Sequence, residues 1–421
     1  MHKRNRITRR GLLTGSAAAI GAGWGASLLG SRQARAEIGV AKNLIIVGAV
    51  GGWDTTYAID PKPGEADIDG PDDGAVRDIG GISILDAATR PAVASYFEDF
   101  ASITTVVNGL QTSSISHTSG YRRIMTGTTS FDAPDMGTIA AVEHGNDLAA
   151  PYLVLGTVSF SGPYASAVTR TGNLNQINTL IAPEAGFPLE DGTFGYQRFL
   201  MTGDERDLVQ QYMRDRAASG RERWHGLGRN AMRGADYQQA IDRAEALVDI
   251  GSFGDLDYAQ SFGLQVDLAI QALRLGTSAA CQIELDGWDT HAGNAQQDYY
   301  WQELFTQLHR LVTGLEDEGL LEDTVIAVVS EMGRTPKLNG DAGKDHWPVT
   351  SAMLIGTDIG GGRVLGATDA QFGGRNVDLA TGAVTADGAP LRHSNFAAGV
   401  LEQVGVDPEP YLGSVTPLRG F

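Results

Sequence analysis

Six stretches of the chain read as strands, 43–50, 104–108, 152–155, 279–285, 324–330 and 351–355, and the first is a continuous apolar run closed by Gly51-Gly52. A run that is apolar at every position, and not at every second one, fits a strand buried on both faces, as in a parallel sheet covered by helices. Between the fourth and fifth runs, Trp301, Leu304, Phe305, Leu308, Leu311, Val312 and Leu315 recur at helical spacing, with Gly319 beyond them. That stripe predicts an amphipathic helix with a glycine stop, and strand, helix, strand in succession predicts a βαβ unit. Residues from about 200 to 275 are charged and helical in pattern with no strand signal, which predicts a helical insertion. Residues 60–80 and 366–390 are rich in Gly and Asp and read as long loops. No repeat of 20–50 residues is present. The expected architecture is one doubly wound, mostly parallel α/β domain over residues 37–421 with that insertion.

Composition narrows the class. With 42% hydrophobic and 20% charged residues, the chain is neither disordered nor a multi-span membrane protein. Its 55 glycines are nearly twice the usual share, so tight turns and close backbone approaches are expected. Residues 1–36 hold seven basic side chains and no acid, followed from residue 37 by 25 basic against 51 acidic ones, a net charge of −26. Such a body repels nucleic acid and anionic lipid over most of its surface, and a polyanionic substrate needs a local positive centre, such as a metal. The basic start, the weakly apolar Ala- and Gly-rich stretch to about Gly30 and Ala34-Arg35-Ala36 together predict a cleaved export signal over residues 1–36, with no stable membrane span. Arg9 and Arg10 resemble the twin-arginine motif, so a periplasmic or secreted protein exported already folded is expected. Cys281, the only cysteine, excludes an internal disulfide.

In open α/β sheets, ligands bind beyond the carboxyl ends of the strands. Asp54 follows the first run, His117 the second, Asp289 and His291 the fourth, and Glu331 the fifth, with His346 in a Gly-Lys-Asp-His-Trp-Pro loop. Carboxylates with imidazoles suit a divalent metal: zinc, manganese, calcium or iron. Each residue alone has a plainer reading. Asp289-Thr-His291 can cap the helix that follows, Glu331 can pair with Arg334, and Asp54 after two glycines can be a turn residue. It is their shared position at strand ends that makes them candidates.

These residues also carry a resemblance. Asp-Gly-Trp-Asp-Thr-His-Ala from Asp286, Val-Val-Ser-Glu-Met-Gly-Arg-Thr-Pro, Asp345-His346, Gly51-Gly52-Trp53-Asp54 and the helix ending at Gly127 together resemble a twin-arginine-exported family of domain-of-unknown-function proteins related to sulfatases, within the alkaline phosphatase superfamily. The resemblance implies a sulfatase-like fold and hydrolysis of phosphate or sulfate esters by one or two metals at the strand ends. It implies Asp54, Asp289, His291, Glu331 and His346 as metal ligands, Arg334 as a guanidinium fork for the anionic substrate, and a nucleophile at a helix start. Counting back ten residues from Gly127, as sulfatases do, gives His117, which cannot become formylglycine; Thr118 is its neighbour. His117 is therefore the candidate base or further ligand, and Thr118 the candidate displaced nucleophile. A partner is expected to be an ester substrate or an envelope component. The rival reading is a binding or assembly protein of the envelope that keeps the fold and lacks the reaction.

Overall fold

Eight strands hydrogen-bond into one sheet whose centre is β1, Asn43–Val50. The others are β2 (Thr104–Gln111), β3 (Tyr152–Val154), β4 (Val168–Arg170), β5 (Ala280–Asp286), β6 (Thr324–Val329), β7 (Val349–Ile355) and β8 (Arg363–Gly366). Their order across the sheet is β8-β2-β7-β6-β1-β5-β3-β4. β1 is parallel to both neighbours, with Leu44 opposite Val325 on one side and Ala280 on the other. Only β7 runs against its neighbours, β6 and β2. The computed structural model describes residues 40–170, 203–250 and 261–421, with the short strands Phe187–Pro188 and Tyr196–Gln197. The expected export signal, residues 1–36, lies outside the described residues. Residues Ile38–Phe421 form a compact unit with a core of their own. No helix among the described residues is long and apolar enough to cross a membrane.

The apolar runs form strands because both faces are covered. Ile45, Val47 and Ala49 of β1 point into one core, with helices α1 (Ala92–Phe100), α6 (Phe262–Arg274) and α7 (Gln297–Asp317). Leu44 and Ile46 point into the other, with α2 (His117–Thr126), α3 (Met136–His144) and α8 (His393–Gln403). Each such side chain contributes about 1.5–3 kcal/mol on full burial, which is why none of the β1 interior is polar. The helix predicted from Trp301 to Leu315 is α7, and all seven stripe residues are buried.

The charged stretch expected as a helical insertion holds α4 (Gly203–Trp224), α5 (Arg229–Ile250) and α6. α6 buries Val266, Ala269 and Leu273 in the core and so belongs to a layer of the sheet, while α4 and α5 pair as a hairpin outside those layers. The stretch read as a loop at 60–80 ends in a strand pair, Ala75–Ile79 with Ile82–Asp86, which its exposed, charged alternation conceals.

Candidate metal centre

β7 explains why His346 joins groups that follow strands. Since β7 is antiparallel, its beginning lies at the edge where β6 and β2 end. There Gly333–Arg334 pairs with His346–Trp347 and sets Arg334 opposite His346. His117 is the first residue of α2, whose N-cap Ser116 makes no side-chain cap, so the first N–H groups of that helix stay open to a ligand. Asp289 and His291 sit in the loop after β5 and Glu331 directly after β6.

Two glycines let these loops meet. Gly51 has φ +123°, and a Cβ there would lie 2.5 Å from the Asp289 nitrogen. A Cβ on Gly120 would lie 2.7 Å from the Glu331 carbonyl oxygen, so α2 approaches closely enough for His117 to reach that side chain. Beneath them, Trp53, Trp288 and Trp301 form a buried indole cluster, with Trp53 stacked on Trp301 at 5.0 Å.

Three imidazoles converge on the Asp289 carboxylate. Nε2 of His346 and of His291 lie 3.1 and 3.2 Å from Oδ1, and Nε2 of His117 lies 3.4 Å from Oδ2. His117, Asp289 and His346 each offer a ligand atom within 4.8 Å of the others. Each ring's other nitrogen faces an acceptor. His117 Nδ1 donates to Glu331 Oε1 at 2.7 Å, His291 Nδ1 to Asp345 Oδ1 at 3.0 Å, and His346 Nδ1 to the Ile115 carbonyl at 2.7 Å. With the Nδ1 proton assigned by its partner, each neutral ring presents the Nε2 lone pair to the cluster. His291 Nε2 and His346 Nε2 are only 2.9 Å apart, so two lone pairs face each other beside a carboxylate. Only a proton or a cation resolves that, and N and O donors with oriented outer partners fit a divalent metal.

The charges are set from behind. The hydrogen bond to Glu331 raises the His117 pKa above the ordinary imidazole value. Partial burial pushes the Asp289 carboxyl up, but the hydrogen bond from Arg334 and its positive charge, with the histidine rings beside them, outweigh burial and lower the pKa to about 2. Arg334 Nη2 lies 2.6 Å from Asp289 Oδ1. The same guanidinium donates to the carbonyls of Gly51, Gly52 and Lys344 and is fully buried, so it braces the Asp289 loop from inside and does not face the open side.

Of the residues expected as ligands, Asp289, His291 and His346 come together, joined by His117. Glu331 lies one shell behind. Its Oε1 accepts from His117 and from the Gly51 N–H at 2.9 Å, and its Oε2 is 3.1 Å from Ser330 Oγ. Asp54 is placed within the scaffold and is fully buried. Its Oδ1 accepts from the Thr56 hydroxyl, and its Oδ2 accepts from Asn294 and pairs with Lys344 Nζ at 2.8 Å. Thr118 is exposed at the helix start beside His117. Asp345, Lys344 and the Ile115 carbonyl are supporting groups that no spacing singled out, although Lys344 and Asp345 directly precede His346.

A doubly wound α/β sheet carrying an acid–imidazole cluster at its carboxyl edge thus defines the class of molecule. The chain belongs to the family described as "Protein of unknown function (DUF1501)", whose model matches residues 197–416. No curated protein matches the sequence. Solved structures similar to it include a protein of the alkaline phosphatase superfamily from Vibrio parahaemolyticus, at 9% identity and TM-score 0.39, covering 89% of this chain and 69% of that one. Another is the lipoteichoic acid synthase LtaP from Listeria monocytogenes, at 10% identity and TM-score 0.39, covering 91% and 75%. A third is the PsFucS1 sulfatase from Pseudoalteromonas sp., at 12% identity and TM-score 0.37, covering 88% and 69%.

Proposed function

We propose that this protein is an exported, metal-dependent hydrolase of phosphate or sulfate esters. The observation that carries the reading is the set of three imidazoles, each tied at Nδ1, whose Nε2 atoms meet at one carboxylate. His117, Asp289, His291 and His346 would hold the ion, and Glu331, Asp345 and the Ile115 carbonyl would fix the ring orientations. A divalent metal there supplies Lewis-acid polarisation of an ester oxygen and lowers the pKa of water toward about 7. The ester class follows from the sequence resemblance and from charge. An anionic group approaching so acidic a chain needs a local positive field, and the open N-terminus of α2, with the Thr118 and Ser119 N–H groups, adds one beside the imidazoles. Arg334 acts here by holding Asp289, and Asp54 by holding Lys344.

Thr118 has no acceptor base at hydrogen-bond distance, which favours attack by water over a covalent enzyme intermediate. Metal analysis of the purified protein, followed by a screen of phosphate and sulfate esters with wild type and His346→Ala, tests the proposal. Stoichiometric metal and ester turnover, both lost in His346→Ala, are expected. Protein that takes up no divalent metal at neutral pH refutes it. Protein that takes up metal and turns over no ester supports the rival binding or assembly role.

A further inference from the structure

The tip of the α4–α5 hairpin, residues 221–233, carries a charge opposite to that of the body, although the hairpin as a whole is close to neutral. Residues 221–233 hold Arg221, Arg223, Arg229 and Arg233 against one acid, Glu222, while the remainder of the chain from residue 37 holds 21 basic and 50 acidic side chains. Every residue from 221 to 230 is exposed, as are Met232 and Arg233. Among the described residues none of the four arginines makes an ion pair. Between them stand Trp224, Leu227 and Met232, at 38%, 58% and 51% exposure. The turn is built on Gly226 and Gly228, and nothing lies within 4 Å of where a Cβ on either would point.

The hairpin is tied to the body further along α5. Asp236 accepts from the Ser166 N–H at 2.9 Å, and Arg243 donates to Ser166 Oγ at 2.8 Å and to the Asn146 carbonyl at 3.0 Å. From Asp236 back to Arg229 is roughly 10 Å of helix, about one Debye length at physiological salt, so the acidic body does not cancel the field of the tip.

We propose that this tip docks on an anionic lipid bilayer. Its net positive charge is complementary to such a surface. A soluble polyanion would use the arginines but has no use for an indole, a leucine and a methionine beside them, whereas the bilayer interface takes both together. A small convex turn suits insertion among headgroups better than the burial of a broad protein interface. Docking would hold an acidic protein at a membrane that its body otherwise repels. The inference stands independently of the metal reading.

The test uses the chain from Ile38, which forms its own compact unit. Sedimentation with phosphatidylcholine vesicles, with and without phosphatidylglycerol, should show binding only with phosphatidylglycerol and weakening as salt rises. Arg229→Glu with Arg233→Glu should lower that binding on the order of 20-fold or more, since each arginine near an anionic surface is worth about fivefold. Leu227→Ser should lower it severalfold with the charge unchanged. Both sites are exposed, so unchanged circular dichroism is expected. No phosphatidylglycerol-dependent binding, or binding indifferent to both variants, overturns the proposal. Self-association that is lost in the arginine variant, without vesicle binding, overturns it in favour of a second copy of the chain.

Discussion

Glu331→Gln isolates what the outer carboxylate does for the metal. The substitution keeps the side chain's size and its burial. The amide oxygen can still accept from His117 Nδ1 and the Gly51 N–H, as Oε1 does now at 2.7 and 2.9 Å. The amide nitrogen replaces Oε2, 3.1 Å from Ser330 Oγ. That hydroxyl gives its proton to the Ala49 carbonyl at 2.7 Å and accepts from the Trp53 N–H at 3.3 Å, which leaves its second lone pair to accept from the new N–H. The hydrogen bonds to His117, Gly51 and Ser330 can survive, and the negative charge behind His117 is lost. Outer carboxylates on metal-bound histidines are worth about 10–100-fold in affinity, or roughly 1.4–2.7 kcal/mol. At saturating free metal the same quantity disappears from the metal-dependent part of stability. The assay is metal competition with a chromophoric chelator followed from about pH 7 to 9, so that proton competition at His117 is read together with affinity, alongside thermal melts with and without metal. A melt of the metal-free variant close to wild type would show the fold intact. Metal affinity within twofold of wild type would refute both the orienting role of Glu331 and the placing of His117 on the ion.

Asp289→Ala, His291→Ala and His346→Ala should each lower metal stoichiometry by elemental analysis while circular dichroism changes little, because all three side chains lie at the open edge of the sheet. Thr118→Ala should keep most ester turnover and His117→Ala should lose it, with no covalent adduct on residues 116–119 by intact mass; an adduct there during turnover refutes direct attack by water. The raised His117 pKa sets a sign. Its pairing with Glu331 stabilises the metal-free protein below the unfolded imidazole pKa and is lost as pH rises through the higher folded value, whereas metal uptake needs the neutral ring and strengthens over the same window. Melts of chelated and metal-loaded protein from pH 5 to 9 should therefore diverge as pH rises, and parallel curves contradict the assignment. Arg9→Lys with Arg10→Lys should leave the chain in the cytoplasm with its first 36 residues attached, seen as a retained, unprocessed band on fractionation.

The central sheet was legible because its inner strands are runs of mostly apolar residues, as in Leu44–Val50 and Val325–Val329. Strands half open to water, such as Ala75–Ile79, and the short edge strand Val168–Arg170 carry no such pattern. Direction along the sheet was also hidden. Nothing in Val349–Ile355 reveals that it runs antiparallel, the fact that brings His346 to the ligand edge. For the candidate site, residue type and strand-end position singled out Asp289, His291 and His346, which the fold brings together. They could not rank Asp54 and Glu331, since a carboxylate's role depends on what its oxygens already hold. Lys344 and Thr56 engage Asp54, and His117 engages Glu331, through partners 290, 2 and 214 residues away that only the folded chain supplies.

The wide spacing of the cluster along the chain governs when it can be filled. His117 and Glu331 are separated by 214 residues, and the carbonyl that orients His346 lies 231 residues before it. Contacts of such high order close late, after the parallel strands between them have found their register. A nascent or partly folded chain therefore offers isolated histidines to any soft cation it meets, but no selective pocket. Selectivity at the proposed site would begin only when folding ends, so the compartment in which this chain completes its sheet would decide which ion that site takes. On the export route expected from Arg9 and Arg10 that compartment would be the cytoplasm, and the protein would leave it with its metal already chosen.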